Sequence, residues 1–553
     1  MNRETESHFS MMPQLDIRRS SFRRESDHKT TFNTGDLIPI YVDSDILPGD
    51  TVKMKVGSLV RMTTPIFPVM DNAYLDLYWF FVPHRIVWQH WREFWGENRA
   101  TAWEQQVEYE IPQIEAPSGG WTKGTIADYM GIPTLVDGIS INHLPFRAYC
   151  LIWNEWFRDE NLKDAAFFNE DETTLTGTNS GSYVTNAQLG AGPLKAAKFH
   201  DYFTSALPSP QKGPQVTLPL GQKAPVYAGD INKKPDDFER LKFWNHTGSA
   251  YLTVNQNTMI GASQTVPDSE ITNGVAFTIP SGQTGVGQVA PANLYADLAQ
   301  ATAATINQLR QAFAIQEFYE AQARGGSRYI EFVKNIFGVT SPDARMQRPE
   351  YLGGKRIPIN MDQVLQTSAT DATSPQGNTA AFSCTADVSE QFTHSFTEHG
   401  TLMCLAVVRT DHTYQQGIER MWSRKKWTDF YVPQFANLGE QAILNKEIYA
   451  QGTTTDDEAF GYQEAWADMR YKPSRVSGEM RSNYATSLDV WHYADDYQSK
   501  PSLGSSWIDE VRTNVDRTIA VQNQDQFIAD FYFNPVYVRP MPVYSIPGML
   551  THM

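Results

Sequence analysis

A β scaffold carrying long helical and loop insertions, rather than alternating β-α units, is the fold class that this sequence predicts. Three observations lead there. Residues 51–62, "TVKMKVGSLVRM", alternate apolar and polar, with Ser58 and Leu59 the exceptions. Apolar runs of strand length recur towards both ends of the 553 residues. Aromatic residues make up 12% and prolines number 31, a balance nearer to a loop-rich β protein than to a helical bundle. Single cores stop growing near ~250–300 residues, so the length allows several domains or one large domain swollen by insertions.

The first thirty residues are sparse in aliphatics. They carry Arg18, Arg19, Arg23, Arg24 and Lys29 interleaved with Asp16, Glu25 and Asp27, which reads as an arm rather than a folded element. In 51–62, Val52, Met54, Val56, Val60 and Met62 share one face and Lys53, Lys55 and Arg61 the other, the mark of a half-buried strand. Residues 73–82, "AYLDLYWFFV", are apolar on both faces and call for cover on both. Within "FFVPHRIVWQHWREFWGENR" (80–99), Trp88, Trp91 and Trp95 recur at i, i+3, i+7 and predict a helix, with Gln89, His90 and Glu93 facing away. Pro145 opens a second helix in which Phe146, Tyr149, Trp153 and Phe157 share a face and Trp156 lies at its margin.

Residues 294–324 predict the longest helix, closed by Gly325 and Gly326. Its inner stripe would be Ala301, Thr302, Thr305, Ile306, Leu309, Ala312 and Phe313, mostly small. "TLMCLAVVRT" (401–410) reads as a buried strand and "FIADFYFNPVYV" (527–538) as another. Between Thr247 and Asn293 there is no Lys or Arg, and the acids are Asp268 and Glu270, so this stretch predicts an exposed β-rich insertion.

Charge and motifs narrow the function. With 46 basic and 63 acidic side chains the net charge is −17, which excludes the basic balance of a dedicated nucleic-acid binder and makes any such contact local. Cys150, Cys384 and Cys404 fit neither a zinc pattern nor a disulfide framework. The opening "MNRETESHFSMMPQ" is polar where a secretion signal is apolar, and no apolar run reaches the ~18 residues of a membrane span, so a soluble chain made in the cytoplasm is expected. Gly282, Gly285 and Gly287 lack the Gly-Lys-Ser/Thr of a phosphate loop and read as turns. His394, Glu398, His399 and His412 bracket 401–410 without a compact ligand set, and read as ordinary hydrogen-bonded side chains. The alternative is a carbohydrate-binding or carbohydrate-active β protein, because 63 acids and 14 tryptophans permit paired carboxylates and sugar platforms. The tryptophan spacing argues for burial instead, and neither catalysis nor a cofactor is expected.

Two basic groups suit nucleic acid. The arm's Arg18, Arg19, Arg23 and Arg24 offer guanidinium forks for phosphate, or a clasp on another subunit. "MWSRKKWTDFYV" (421–432) sets Arg424, Lys425 and Lys426 between Trp422 and Trp427, the combination that single strands favour, although a subunit interface or solvated loop is the weightier reading.

Four stretches, in order along the chain, resemble one family. They are "TTFNTGDLIPIYVDSDILPGDTVKMKVGSLVRMTTPIFPVMDNAYLDLYWFFVPHRIVW", "QARGGSRYIEFVKNIFGV", "RPEYLGGKRIPI" and "RTDHTYQQGIERMWSRKKWTDFYVPQFANLGEQAILNKEIYAQG". Together they are similar to the major capsid proteins of gokushoviruses, single-stranded DNA phages of the microvirus family. The likeness runs from about residue 28 to the end and weakens near 165–193, 225–290 and 365–392.

The resemblance implies an eight-stranded antiparallel jelly-roll barrel with long helical and loop insertions. It implies about sixty copies in a T=1 icosahedral shell around circular single-stranded DNA. Expected boundaries are an arm at 1–30, jelly-roll strands with helical insertions at 31–224, a three-fold protrusion at 225–290 that meets the host receptor, and remaining insertions and strands at 291–553. Implied partners are an internal scaffolding protein, a small basic DNA-associated protein and a pilot protein, with assembly in the host bacterial cytoplasm and residence in the virion capsid. Sixty copies at −17 total roughly −1000, so the shell's own charge cannot neutralise a genome. The tryptophans Trp88, Trp91, Trp95, Trp153 and Trp156 are then anchors of insertions, onto the scaffold or onto a neighbouring subunit.

Overall fold

Alternating and doubly apolar strands need faces to bury against, and here they lie among ten strands in two antiparallel sheets. They are β1 (Ser20–Arg23), β2 (Ser26–Phe32), β3 (Ile38–Ile46), β4 (Thr51–Met62) and β5 (Ala73–Pro83). After a long interval follow β6 (Glu350–Pro358), β7 (Thr385–Ser395), β8 (Gly400–Thr410), β9 (Phe527–Phe533) and β10 (Val536–Arg539). The computed structural model describes residues 18–97, 108–214, 306–326, 328–340, 347–368, 375–436 and 438–544. Between 215 and 305 it describes residue 216 and the short strands Val226–Ala228, Lys242–Asn245, Tyr251–Thr253, Val289–Pro291 and Leu294–Ala296.

The six-stranded sheet runs β1-β10-β4-β9-β2, with β7 also on β4. The four-stranded sheet runs β6-β5-β8-β3. β4 shows the predicted alternation: Val52, Met54, Val56, Val60 and Met62 are buried, while Lys53, Lys55 and Arg61 are exposed. Those inner residues form one core with Leu75, Leu77, Trp79 and Phe81 of β5 and Leu402, Cys404, Ala406 and Val408 of β8. Aromatic rings join the sheets across it, Trp79 lying 5.3 Å from Phe392 and 6.1 Å from Phe533. The chain is therefore mainly β and antiparallel, and among the described residues the sheets do not close into a barrel.

The four-stranded sheet is covered on its far side too, as the two-faced pattern of β5 requires. Phe80, Val82, Met403, Leu405 and Val407 pack there against Val87, Trp88, Trp121, Phe146, Tyr149 and Trp153. A third cluster joins Tyr202, Phe203, Tyr414, Ile443, Ile448, Phe460 and Trp507. At the β6–β5 pairing a register shift falls between Tyr351 and Gly353, and a Cβ on Gly354 would stand 2.3 Å from the Leu77 carbonyl oxygen. Among the described residues no helix is long and apolar enough to cross a membrane.

Four local expectations are corrected. The arm is folded from Ser20 onward: β1 pairs with β10 and β2 with β9, because ladder hydrogen bonds need no aliphatic side chains, while residues 1–17 lie outside the described residues. The Trp88–Trp91–Trp95 helix is a 3₁₀ turn at His84–Ile86 followed by a single turn at Trp91–Phe94. Separate turns do not hold one face over seven residues, so Trp88 is fully buried while Trp95 is 60% exposed. The longest helix is Ile306–Gly325, ended by Gly326 at φ +84°, whereas Leu294–Ala296 is a strand paired with Val226–Ala228. Phe313, placed on its inner stripe, is 66% exposed, and Ala301, Thr302 and Thr305 lie outside the described residues. Residues 527–538 make two strands, since Pro535 has no N–H to continue the ladder.

The chain divides into two compact units, one of residues 1–212 with 320–553 and the other Gly213–Tyr319. Most of the expected 225–290 protrusion lies outside the described residues.

Candidate assembly and nucleic-acid surfaces

Residues 411–439 connect β8 to the strand Glu440–Leu444, with 3₁₀ turns at Arg420–Ser423, Trp427–Asp429 and Pro433–Phe435. Aromatic side chains that cannot all reach a core from such a connection are displayed: Trp422 and Trp427 are each 73% exposed and Phe430 54%. The segment is nonetheless braced. The Arg424 guanidinium pairs with Asp468 and lies 5.8 Å from the Phe430 ring centre. The Asp429 carboxylate accepts the backbone N–H groups of Lys426 and Lys425, both at 2.8 Å, which hold it below the usual carboxylate range. The Trp466 indole donates to the Phe435 carbonyl at 2.9 Å.

Beside it opens a cavity of about 540 Å³ lined by Tyr202, Tyr414, Trp422, Arg424, Lys472 and Arg475 among others. Its cations face acids of the same chain: Arg420 with Glu447 at 3.3 Å, Arg475 with Glu419 at 4.0 Å, and Lys472 with Glu419. These partners lie 27 to 56 residues away in sequence, so no local signal revealed them. Of the predicted contact residues here, Lys425, Lys426 and Trp427 are exposed, whereas the Arg424 side chain is only 13% exposed and engaged by Asp468.

The arm divides similarly. Arg18, Arg19 and Arg23 are exposed. Arg24 pairs with the buried Asp43 at 2.5 Å and lies 5.0 Å above the Tyr537 ring, so it fastens the six-stranded sheet to β3. Tyr537 donates to the same Asp43 at 2.7 Å and meets the Tyr41 hydroxyl at 2.8 Å.

Among the predicted anchors, Trp88 and Trp153 are fully buried, the Trp88 indole donating to Glu172 at 3.0 Å and that of Trp153 to the Lys195 carbonyl at 2.9 Å. Trp91 is half-buried against Trp88 at 6.0 Å. Trp95 stacks on His399 at 4.7 Å, and Trp156, 41% exposed, sits under the Arg348 guanidinium at 4.0 Å. Its partial exposure fits a place at the margin of the stripe, where the helix Leu144–Ile152 widens into a π turn at Trp153–Phe157.

The bracketing histidines have separate partners. His394 faces Glu350 at 3.6 Å, and His399 stacks on Trp95 at 4.7 Å. His412 is enclosed between Asp495 (Nδ1 to Oδ2, 3.0 Å) and Glu510 (Nε2 to Oε2, 2.9 Å). Burial opposes its charge, yet the two carboxylates outweigh that and raise the imidazole to about 10. Among the described residues no group of His, Cys, Asp and Glu could hold a metal ion. Cys150 and Cys404 are buried free thiols, pushed up by burial.

Comparison with known proteins completes the description. The family model described as "Capsid protein (F protein)" matches residues 10–549. Capsid protein VP1 of Bdellovibrio phage phiMH2K is 44% identical over 553 residues, covering 99% of this chain and 98% of that one. Capsid protein VP1 of Spiroplasma virus 4 is 44% identical over 550 residues, covering 98% and 97%. Capsid protein VP1 of Chlamydia phage 1 is 39% identical over 592 aligned residues, again 98% and 97%.

Proposed function

The chain belongs to the capsid protein (F protein) family of microvirus-type phages, a structural family, and from that premise we propose that about sixty copies close into a T=1 icosahedral shell around circular single-stranded DNA. The observation that carries this is likeness along nearly the whole chain to those capsid proteins. Two antiparallel sheets over one core suit a jelly roll, with the segments between β5 and β6 and between β8 and β9 as its insertions. In this reading the subunit is made in the host cytoplasm, assembles with an internal scaffolding protein and resides in the virion.

Residues 225–290 form the protrusion that meets the host surface, supported by the near absence of charge between 247 and 293. Deleting 225–290 leaves shells able to form and abolishes attachment to host cells; unchanged attachment would refute that role. Genome contact falls to the exposed Arg18, Arg19 and Arg23. Because a −17 chain cannot balance DNA, a small basic protein supplies further positive charge, and a pilot protein accompanies it.

Negative-stain electron microscopy with light-scattering mass, on the chain expressed with its neighbouring reading frames, tests the proposal. Uniform icosahedral particles are expected. A monomer or small oligomer under the same conditions would refute it.

A further inference from the structure

We propose that the aromatic platform of residues 418–438 is a subunit-to-subunit contact whose occupant is a second copy of this chain, a placement that rests on the capsid reading above. Met421, Trp422, Trp427, Phe430 and Met469 are each at least 44% exposed, although they lie close together through their contacts with Arg424, Phe435 and the cavity wall. Scattered exposed apolar side chains are ordinary on a monomer; a contiguous aromatic group marks a surface that another protein covers.

The platform is held ready for contact. Trp466 supports it through its indole bond to Phe435 and a 5.7 Å edge contact with Tyr431, and does so with its own backbone at φ +66°. A left-handed tryptophan persists only where its surroundings enforce it. Groups already fixed lose little freedom on association.

Charge decides between the possible occupants. A polyanion needs cations that are free to release counterions, but here Arg420, Arg424, Arg470 and Lys472 each meet a carboxylate of their own chain. Lys425 and Lys426 remain at the edge. A second copy is the neighbour that membership of a capsid family implies, and it can offer apolar area to the rings and, with 63 acidic against 46 basic side chains, carboxylates to the two lysines. Trp427, nominated by its basic neighbours as a base-stacking residue, thus becomes an interface residue.

Hydroxyl-radical footprinting read by mass spectrometry tests this on dissociated subunits, empty shells and DNA-filled shells. Oxidation of Trp422, Trp427 and Met421 is expected to slow about five-fold or more in empty and filled shells alike, as burial at an interface core requires. Protection confined to filled shells would overturn the proposal in favour of DNA, and no protection in either would overturn it outright. If no shells form from the unaltered chain, the capsid reading itself fails; if shells form with the platform unprotected, only the present inference does. As a second variant, Trp422→Ala with Trp427→Ala keeps the monomer's thermal melt, since both side chains are exposed, and lowers particle yield at least about ten-fold. Unchanged yield would count against the contact.

Discussion

At the scale of single residues, His412 is the group whose protonation matters most to this subunit. Its folded value of about 10 stands above an unfolded value of ~6.5. The stabilisation it brings is therefore complete below ~6.5 and lost as the pH climbs towards 10. Asp495 behaves oppositely. Burial pushes its carboxyl up, but His412, Lys198 and the Asn514 amide outweigh that and hold it well below the ordinary range, so its contribution is present above ~4 and fades in acid. Stability measured by urea unfolding should be greatest between these limits and decline on the alkaline side. His412→Ala should cost roughly 3–5 kcal/mol near neutral pH, because two buried carboxylates lose their cation, and should flatten the alkaline decline. An alkaline limb that survives in the variant would show that another group causes it. The sequence made His412 legible as a hydrogen-bonded histidine and nothing more, since its partners stand 83 and 98 residues further on. The pairs that Arg24 and Arg424 make are illegible for the same reason: a guanidinium advertises charge, whereas the carboxylate it meets comes from another part of the fold.

Among the elements, β4 and β8 could be read because alternation and unbroken apolarity each have one simple structural solution. The tryptophan segment could not, since 3₁₀ turns, an isolated turn and a true helix all bring i and i+3 together, and only a continuous helix keeps i+7 beside them. β1 and β2 were hidden because edge strands are held by backbone bonds that composition does not report. Glycines allow a direct test of the strand packing. Gly354→Ala places a methyl group 2.3 Å from the Leu77 carbonyl and should destabilise by roughly 1–3 kcal/mol in thermal unfolding. In Gly57→Ala the new carbon meets its neighbours at 3.7 Å, an ordinary contact, and the change should be neutral or stabilising by up to ~1 kcal/mol. Equal effects from the two substitutions would contradict the assigned pairing of β6 with β5.

For the whole molecule, the general class was legible and the closure was not: no pattern in the sequence states that β1 and β2 complete a sheet with β9 and β10. That closure is tight. Tyr537 reaches Asp43 across 494 positions, and the buried Thr34 hydroxyl donates to Gln526 at 2.7 Å. During translation β4 leaves the ribosome long before β9 exists, and at ~5–20 residues per second the stretch from Met62 to Phe527 takes roughly 25–90 s to synthesise. Until β7 is made β4 lacks neighbours on both edges, and from then until β9 it still lacks them on one; exposed strand edges invite aggregation. Ribosome-released chains ending at residue 526 should sediment or remain with chaperones, whereas the full chain should fractionate as soluble subunits or particles; equal solubility would remove the premise. The last strands to be made thus act as a completion check, so that a nascent or broken subunit lacks the finished sheet with which to enter a growing particle.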